Sequence, residues 1–293
     1  MASARRIQRV LNQPRRLTLL RPAGGNVTMA AMPTLTAVTD DQLARLKTDG
    51  YLVLPGLAGV ERADRARRRI NAHLGKHGLP PDKLTQFATQ TYVPEIRDHP
   101  DFRALIDNDD VKAVLDDLIG WDTIKPDFYH QIALRFQQPP DADDERIKAD
   151  FGMKGYHIDG LPSPPGYPHN GVPAGEVHNF TVLVGVILND QPTGFRGNFR
   201  AHPGSHEEMA AHYRQHGLDN IAENGIPQVA TAPPHQITGH PGDVILANHL
   251  TAHGIAPNLS PDVRYNLFTR LWPKNRGFFG PEAMTDPWHE WKV

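Results

Sequence analysis

Three short pieces of the chain have the residue types and order to hold a metal ion. His157-Ile-Asp159 offers an imidazole and a carboxylate at i and i+2, and in an extended segment those side chains point to one face. His253 follows His157 by ninety-six residues, and Arg264 follows His253 by eleven. Two imidazoles and one carboxylate on one face of a metal leave three positions open, the arrangement of non-haem Fe(II) oxygenases. An arginine soon after the second histidine is placed to hold the far carboxylate of a keto-acid cosubstrate. Its planar fork matches a carboxylate and does not lose its charge.

A His-x-Asp triplet is a weak signal alone, since roughly one is expected by chance in a chain this rich in both residues. A second copy exists, His99-Pro100-Asp101. There Asp101 precedes Phe-Arg-Ala-Leu in a helical pattern and reads as a helix N-cap, a structural task. His157-Ile-Asp159 lies between Gly155-Tyr156 and Gly160-Leu-Pro162, at a strand end opening into a long loop. Context, not count, separates the two.

The elements that must position these residues follow from periodicity and punctuation. Thr39-Asp40-Asp41-Gln42 is a capping box for a helix ended by Gly50, and Tyr51–Leu54 is a short buried strand. A second helix spans about Val60 to His77, and a third Asp101 to Ile119. Beyond residue 127 strands take over. Phe128–Phe136 alternates, with Gln131, Ala133 and Arg135 on one side; Phe180–Leu188, Asp243–Leu250 and Val263–Leu271 are rich in strand-forming residues. Val244–Ala252 reads as a strand closed by His253-Gly254, and Arg264 opens the next, sharing a face with Asn266, Phe268 and Arg270. Ser205-His-Glu-Glu208 is a capping box for one late helix ended by Gly217. The polar stretch Gln138–Lys154 reads as a lid. Helices first and strands later predict an α+β fold with a β-sandwich or barrel core.

Composition narrows the function classes. With 39% hydrophobic and 22% charged residues the chain fits a soluble globular protein. A net charge of −2 carries no polyanion-binding signature, so no nucleic acid partner is expected. No apolar run approaches the about 18 residues that span a bilayer. Cysteine is absent, which excludes thiolate metal sites and disulfides and fits a reducing, cytoplasmic setting. Residues 1–38 carry six arginines and no acid. They read as a basic, disordered extension, with a mitochondrial transit peptide or a start at Met29 or Met32 as alternatives. Residues 39–293 are expected to form a single domain.

The residues from Tyr156 to Leu271 resemble the phytanoyl-CoA dioxygenase-like branch of the Fe(II)/2-oxoglutarate oxygenases. Besides the three ligand candidates, the resemblance is carried by Gly197-Asn-Phe-Arg-Ala-His-Pro-Gly-Ser-His206, Pro241-Gly-Asp-Val-Ile-Leu246 and His253-Gly-Ile-Ala-Pro-Asn258, and by the opening Thr39–Gly56. It implies a double-stranded β-helix (a cupin-like jelly roll) with N-terminal helices on the major sheet. It also implies Fe(2+) on His157, Asp159 and His253, 2-oxoglutarate held by Arg264, O2 as oxidant, and ascorbate as reductant in vitro. Gln131 matches the position of a glutamine near the cosubstrate. Asn266 stands where the wider group often has Ser or Thr and can still donate a hydrogen bond. Arg196-Gly197 replaces the usual Asn-Gly, so no role carries over there. Retention of Asp159, where halogenating relatives have Gly or Ala, points to hydroxylation of a small molecule.

Other residues invite function. His169, His178, His202, His206, His249 and Arg270 are candidates to touch substrate, with His249 on the same strand face as His253. Ser205 reads as a cap, and Trp272, Trp288 and Trp291 as packing residues. The rival readings are a cupin-like metal-binding or sensing protein without turnover, and a zinc-dependent hydrolase or isomerase. Arg264 and Gln131 argue against both, since neither needs a clamp for a dicarboxylate.

Overall fold

The computed structural model describes residues 37–83, 91–139, 141–152, 155–163, 171–174, 176–219 and 225–293. The expectations for residues 1–36 and for His169, and part of the lid expected over Gln138–Lys154, lie outside them. The described helices and strands are, in chain order, α1 (Asp40–Asp49), β1 (Tyr51–Leu54), α2 (Val60–His77), α3 (Pro100–Arg103), α4 (Asp109–Leu118), β2 (His130–Arg135), α5 (Asp144–Asp150), β3 (Val182–Ile187), β4 (Phe199–Ala201), α6 (Ser205–His216), β5 (His235–Gln236), β6 (Val244–Asn248), β7 (His253–Ile255), β8 (Arg264–Leu271) and α7 (Pro281–Thr285). No described helix is long and apolar enough to cross a membrane.

The strands form two antiparallel sheets, a larger one in the order β1-β6-β3-β8-β2 and a smaller one in the order β5-β4-β7. Alternation divides the larger sheet. Ile132, Leu134, Val182, Val184, Leu246 and Leu267 pack on one side against Ala63, Ala66 and Ile70 of α2 and Val111, Val114 and Leu115 of α4. On the other side Ala133, Leu183, Ile245 and Phe268 meet Phe199 and Ala201 of the smaller sheet. This is the expected jelly roll with its early helices on the major sheet. Gly185 in β3 makes room for Phe268, since a Cβ there would stand 2.8 Å from the ring.

Local signals held at the start of the chain. Thr39 Oγ1 accepts from Gln42 N–H at 3.2 Å and Gln42 Oε1 from Thr39 N–H at 2.9 Å, the full capping box. Gly50 ends α1 in the left-handed region at φ 79°.

Four local expectations are corrected. The helix expected over Asp101–Ile119 is broken in two, because the Asn108 amide donates to Ala104 O and Leu105 O while its Oδ1 accepts from Val111 N–H. One side chain ends a turn and caps α4. Asp101 is not the cap of α3: Pro100 takes the first helical position, where a missing N–H is harmless, so His99 Nδ1 accepts from Asp101 N–H. Ser205 does not cap α6 either. Gly204 holds that position without a side-chain bond, and buried Ser205 donates to His202 O and accepts from Ala252 N–H. Finally, β6 stops at Asn248, whose side chain accepts from Leu250 N–H and donates to Pro287 O. That turn moves the chain to the other sheet, so His253 opens β7 instead of closing β6.

Candidate active site

Two backbone hydrogen bonds set the distance between the two halves of the site. His157 N–H donates to His253 O and His253 N–H to His157 O, each at 2.8 Å. The pairing brings the imidazoles side by side, with ring centroids 4.5 Å apart. Asp159, two residues on, turns to the same face. Its carboxylate oxygens stand 3.7 Å from His157 Nε2 and 3.6 Å from His253 Nε2. One donor atom from each of the three residues lies within 4.8 Å of the others, a set able to hold a metal ion.

The surroundings tune each donor. His253 Nδ1 lies 2.8 Å from Thr251 O. As a donor it fixes the tautomer and leaves Nε2 for an ion. Phe199 stacks on the same ring at 5.2 Å. Desolvation, then the nearby His253, lowers the His157 pKa to about 4, which keeps the imidazole in the neutral form that ligates. Burial opposes the charged form of Asp159, yet Arg270, His253 and His157 together hold its pKa well below the usual carboxylate range. Arg270 makes the closest contacts, with Nε at 2.9 Å and Nη2 at 2.7 Å from Oδ2. Arg200 braces the approach to His157 by donating to Gly152 O and Gly155 O.

These groups open on a cavity of about 860 Å³ that Gln131, Arg135, Arg264 and Arg270 also line. Arg264 is 1% exposed. Its Nε donates to Gly197 O at 2.7 Å and its Nη1 to Ala133 O at 3.1 Å, while Nη2 has no partner. Burial, and next the charge of Arg135, pull its pKa well below the ordinary guanidinium value. A buried cation with an unused donor and a second arginine paired opposite it across β2 and β8 calls for an anion. Gly197 is required here: at φ 73°, its Cβ would meet Arg135 Cβ at 2.8 Å. The residues thus fit both a divalent ion and a dicarboxylate.

The other sequence candidates divide clearly. Gln131 lines the cavity, but the contact made by its Oε1 is with Arg270 Nη1 at 3.2 Å. Asn266 is buried and accepts from Gln191 Nε2 at 2.7 Å, and it is not part of the cavity wall. Arg270, His178 and Trp272 do line the cavity. His202, His206 and His249 lie buried away from it, each with a ring nitrogen on a backbone carbonyl. The contact of Arg270 with Asp159 had one advance sign, the shared face of Arg264 and Arg270. The brace from Arg200 had none.

Comparison with known proteins places the fold and the family. The solved structure of HygX from Streptomyces hygroscopicus with nickel and 2-oxoglutarate bound is similar at TM-score 0.52 and 18% identity, over 83% of this chain and 90% of HygX. EctD from S. alaskensis in its apoform is similar at TM-score 0.52 and 18% identity, over 86% of this chain and 83% of EctD. SnoK, a non-heme alpha ketoglutarate dependent carbocyclase from nogalamycin biosynthesis, is similar at TM-score 0.50 and 18% identity, over 82% and 87%. At such identity these likenesses show a shared fold. No curated protein sequence matches the chain. The family model for phytanoyl-CoA dioxygenase (PhyH) matches residues 46–266. With most of its length so matched, the chain belongs to the phytanoyl-CoA dioxygenase family and is a non-haem Fe(II)- and 2-oxoglutarate-dependent dioxygenase.

Proposed function

We propose that His157, Asp159 and His253 hold the iron, that Arg264 holds the far carboxylate of 2-oxoglutarate, and that the reaction is hydroxylation of a C–H bond in a small molecule. The observation that carries this reading is the meeting of the three donors beside a buried arginine with an unused Nη2. When bound, iron, 2-oxoglutarate and O2 supply the oxidation, with succinate and CO2 released and one oxygen placed on the substrate. The chain's own part is positioning. His253 is oriented by Thr251, Asp159 is kept ionised and aimed by Arg270, and Gln131 steadies Arg270 from the side. Asn266 acts at one remove, by packing with Gln191 behind the wall. Residues 39–293 act as one catalytic domain, the Gln138–Lys154 segment serves as its lid, and the cytoplasm is the compartment.

Succinate release with Fe(II), 2-oxoglutarate, ascorbate and O2 tests the reading. The unmodified chain should bind 2-oxoglutarate and release succinate, more so with a substrate. Asp159→Ala should abolish hydroxylation. Asp101→Ala, which removes a partner of Arg69 on the surface, should leave it intact. The opposite result for the two variants would assign the iron to the wrong His-x-Asp.

A further inference from the structure

Strand β8 orders the cavity from end to end. Arg264, Phe268, Arg270 and Trp272 all line it. At about 3.3 Å per residue, Arg264 and Trp272 stand roughly 26 Å apart along the strand. The first end holds the buried Arg264 and the half-buried Arg135. Arg270 comes next along β8 and meets Asp159. The Trp272 end is different in kind. There Phe278 stacks on His178, with centroids 4.5 Å apart and planes 17° apart, and Trp272 meets Phe278 edge-on at 6.2 Å. Tyr129 and Leu161 also line the cavity. Phe278 is 52% exposed, with Lys125 Nζ 5.1 Å from its ring centroid.

Charge sharpens the contrast. Among the described lining residues three guanidinium groups face one carboxylate, Asp159, and Arg270 already pairs with it. Among the described lining residues no carboxylate is left for an ammonium group, so a polycation entering the cavity would lose its hydration without a counter-charge there.

We infer that the primary substrate is an uncharged or singly anionic small molecule with a flat ring body that packs against Phe278 and Trp272. Phe278 and Trp272 supply apolar area for such a body, and the cavity volume lies within the range of small-molecule sites. This rests on the oxygenase reading for its chemistry, but the binding it describes needs no turnover.

The test is a fluorescence titration of the full chain with N-phenyl-1-naphthylamine, a neutral flat aromatic, with spermine as competitor. One saturable site is expected, with a Kd about tenfold weaker in Phe278→Ala, restored in Phe278→Tyr and unmoved by spermine. An unchanged Kd in Phe278→Ala, no recovery in Phe278→Tyr, or displacement by spermine would overturn the inference. The same samples are heated with Fe(II) and 2-oxoglutarate under anaerobic conditions. A thermal shift in both the unmodified chain and Phe278→Ala leaves any failure of the titration to count against the ring-body inference alone. No shift in the unmodified chain would count against the oxygenase reading itself.

Discussion

Asp159 answers to two partners at the level of single residues. On the proposed ligand set it offers a carboxylate to an ion shared with the histidines, while Arg270 grips its Oδ2 through two nitrogens. A guanidinium in that place keeps the carboxylate ionised and limits its rotation, so it prepares the donor. Removing such an outer partner weakens metal sites by about 10–100-fold. Arg270→Leu should therefore raise the Kd for Fe(II) or Co(II) by that order, read by anaerobic metal titration; a Kd within about twofold would mean that Arg270 serves only packing. That His157 and Asp159 share a face was readable because strand alternation puts i and i+2 together; the return of His253, ninety-six residues on, and of Arg264 was expected from the order of the motifs and the resemblance. Of the Arg270–Asp159 contact only the shared face of Arg264 and Arg270 was readable, not the partner. The contact joins residues 111 apart in sequence, and nothing local encodes which carboxylate an arginine will meet.

Elements show where local pattern prevails and where it fails. The Thr39 capping box and the helix of Val60–His77 were legible because their determinants lie within a turn or two. The break before α4 was not, although the apolar spacing runs on through it. One asparagine overrides that spacing by bonding in both directions. Asn108→Ala should then lower stability by about 1–2 kcal/mol, the range for losing a cap, measured by urea unfolding. A change below roughly 0.3 kcal/mol would show that the break is set by packing alone. The strand expected to run through residue 252 failed for the same kind of reason. Asn248 bonds to Leu250 N–H and bends the chain, which delivers His253 to the smaller sheet, opposite His157. A β-sandwich or barrel core was legible from the order of helices and strands, and the jelly roll from the resemblance, but its partition into sheets depends on such single side chains.

Across the whole molecule, burial leaves a pH signature. His130 and His249 are both buried, and desolvation lowers the pKa of each to about 4. In the unfolded chain they titrate near the ordinary value of about 6.5. Between those values the unfolded state binds more protons than the folded one, so stability falls as pH drops from about 6.5 to about 4 and is fully present above that window. Each histidine contributes on the order of 3 kcal/mol to that fall. Urea midpoints at several pH values would show it, and His249→Gln should flatten the slope; an unchanged slope would remove His249 from the account.

The reciprocal bonds between His157 and His253 fasten two points ninety-six residues apart. Closing a loop of that size costs chain entropy that grows slowly with length, and these two hydrogen bonds add to the pairings that β3, β4 and β6, which lie within it, make with β8, β7 and β1. An ion gripped by both imidazoles ties the same two points a second time, through side chains. On the proposed ligand set the iron would then also be a removable clasp on a third of the polypeptide. Chelation should make the segment between these histidines cleavable by protease while the early helices stay protected, and adding the metal back should reverse it. Equal cleavage with and without the ion would mean that the metal serves chemistry only.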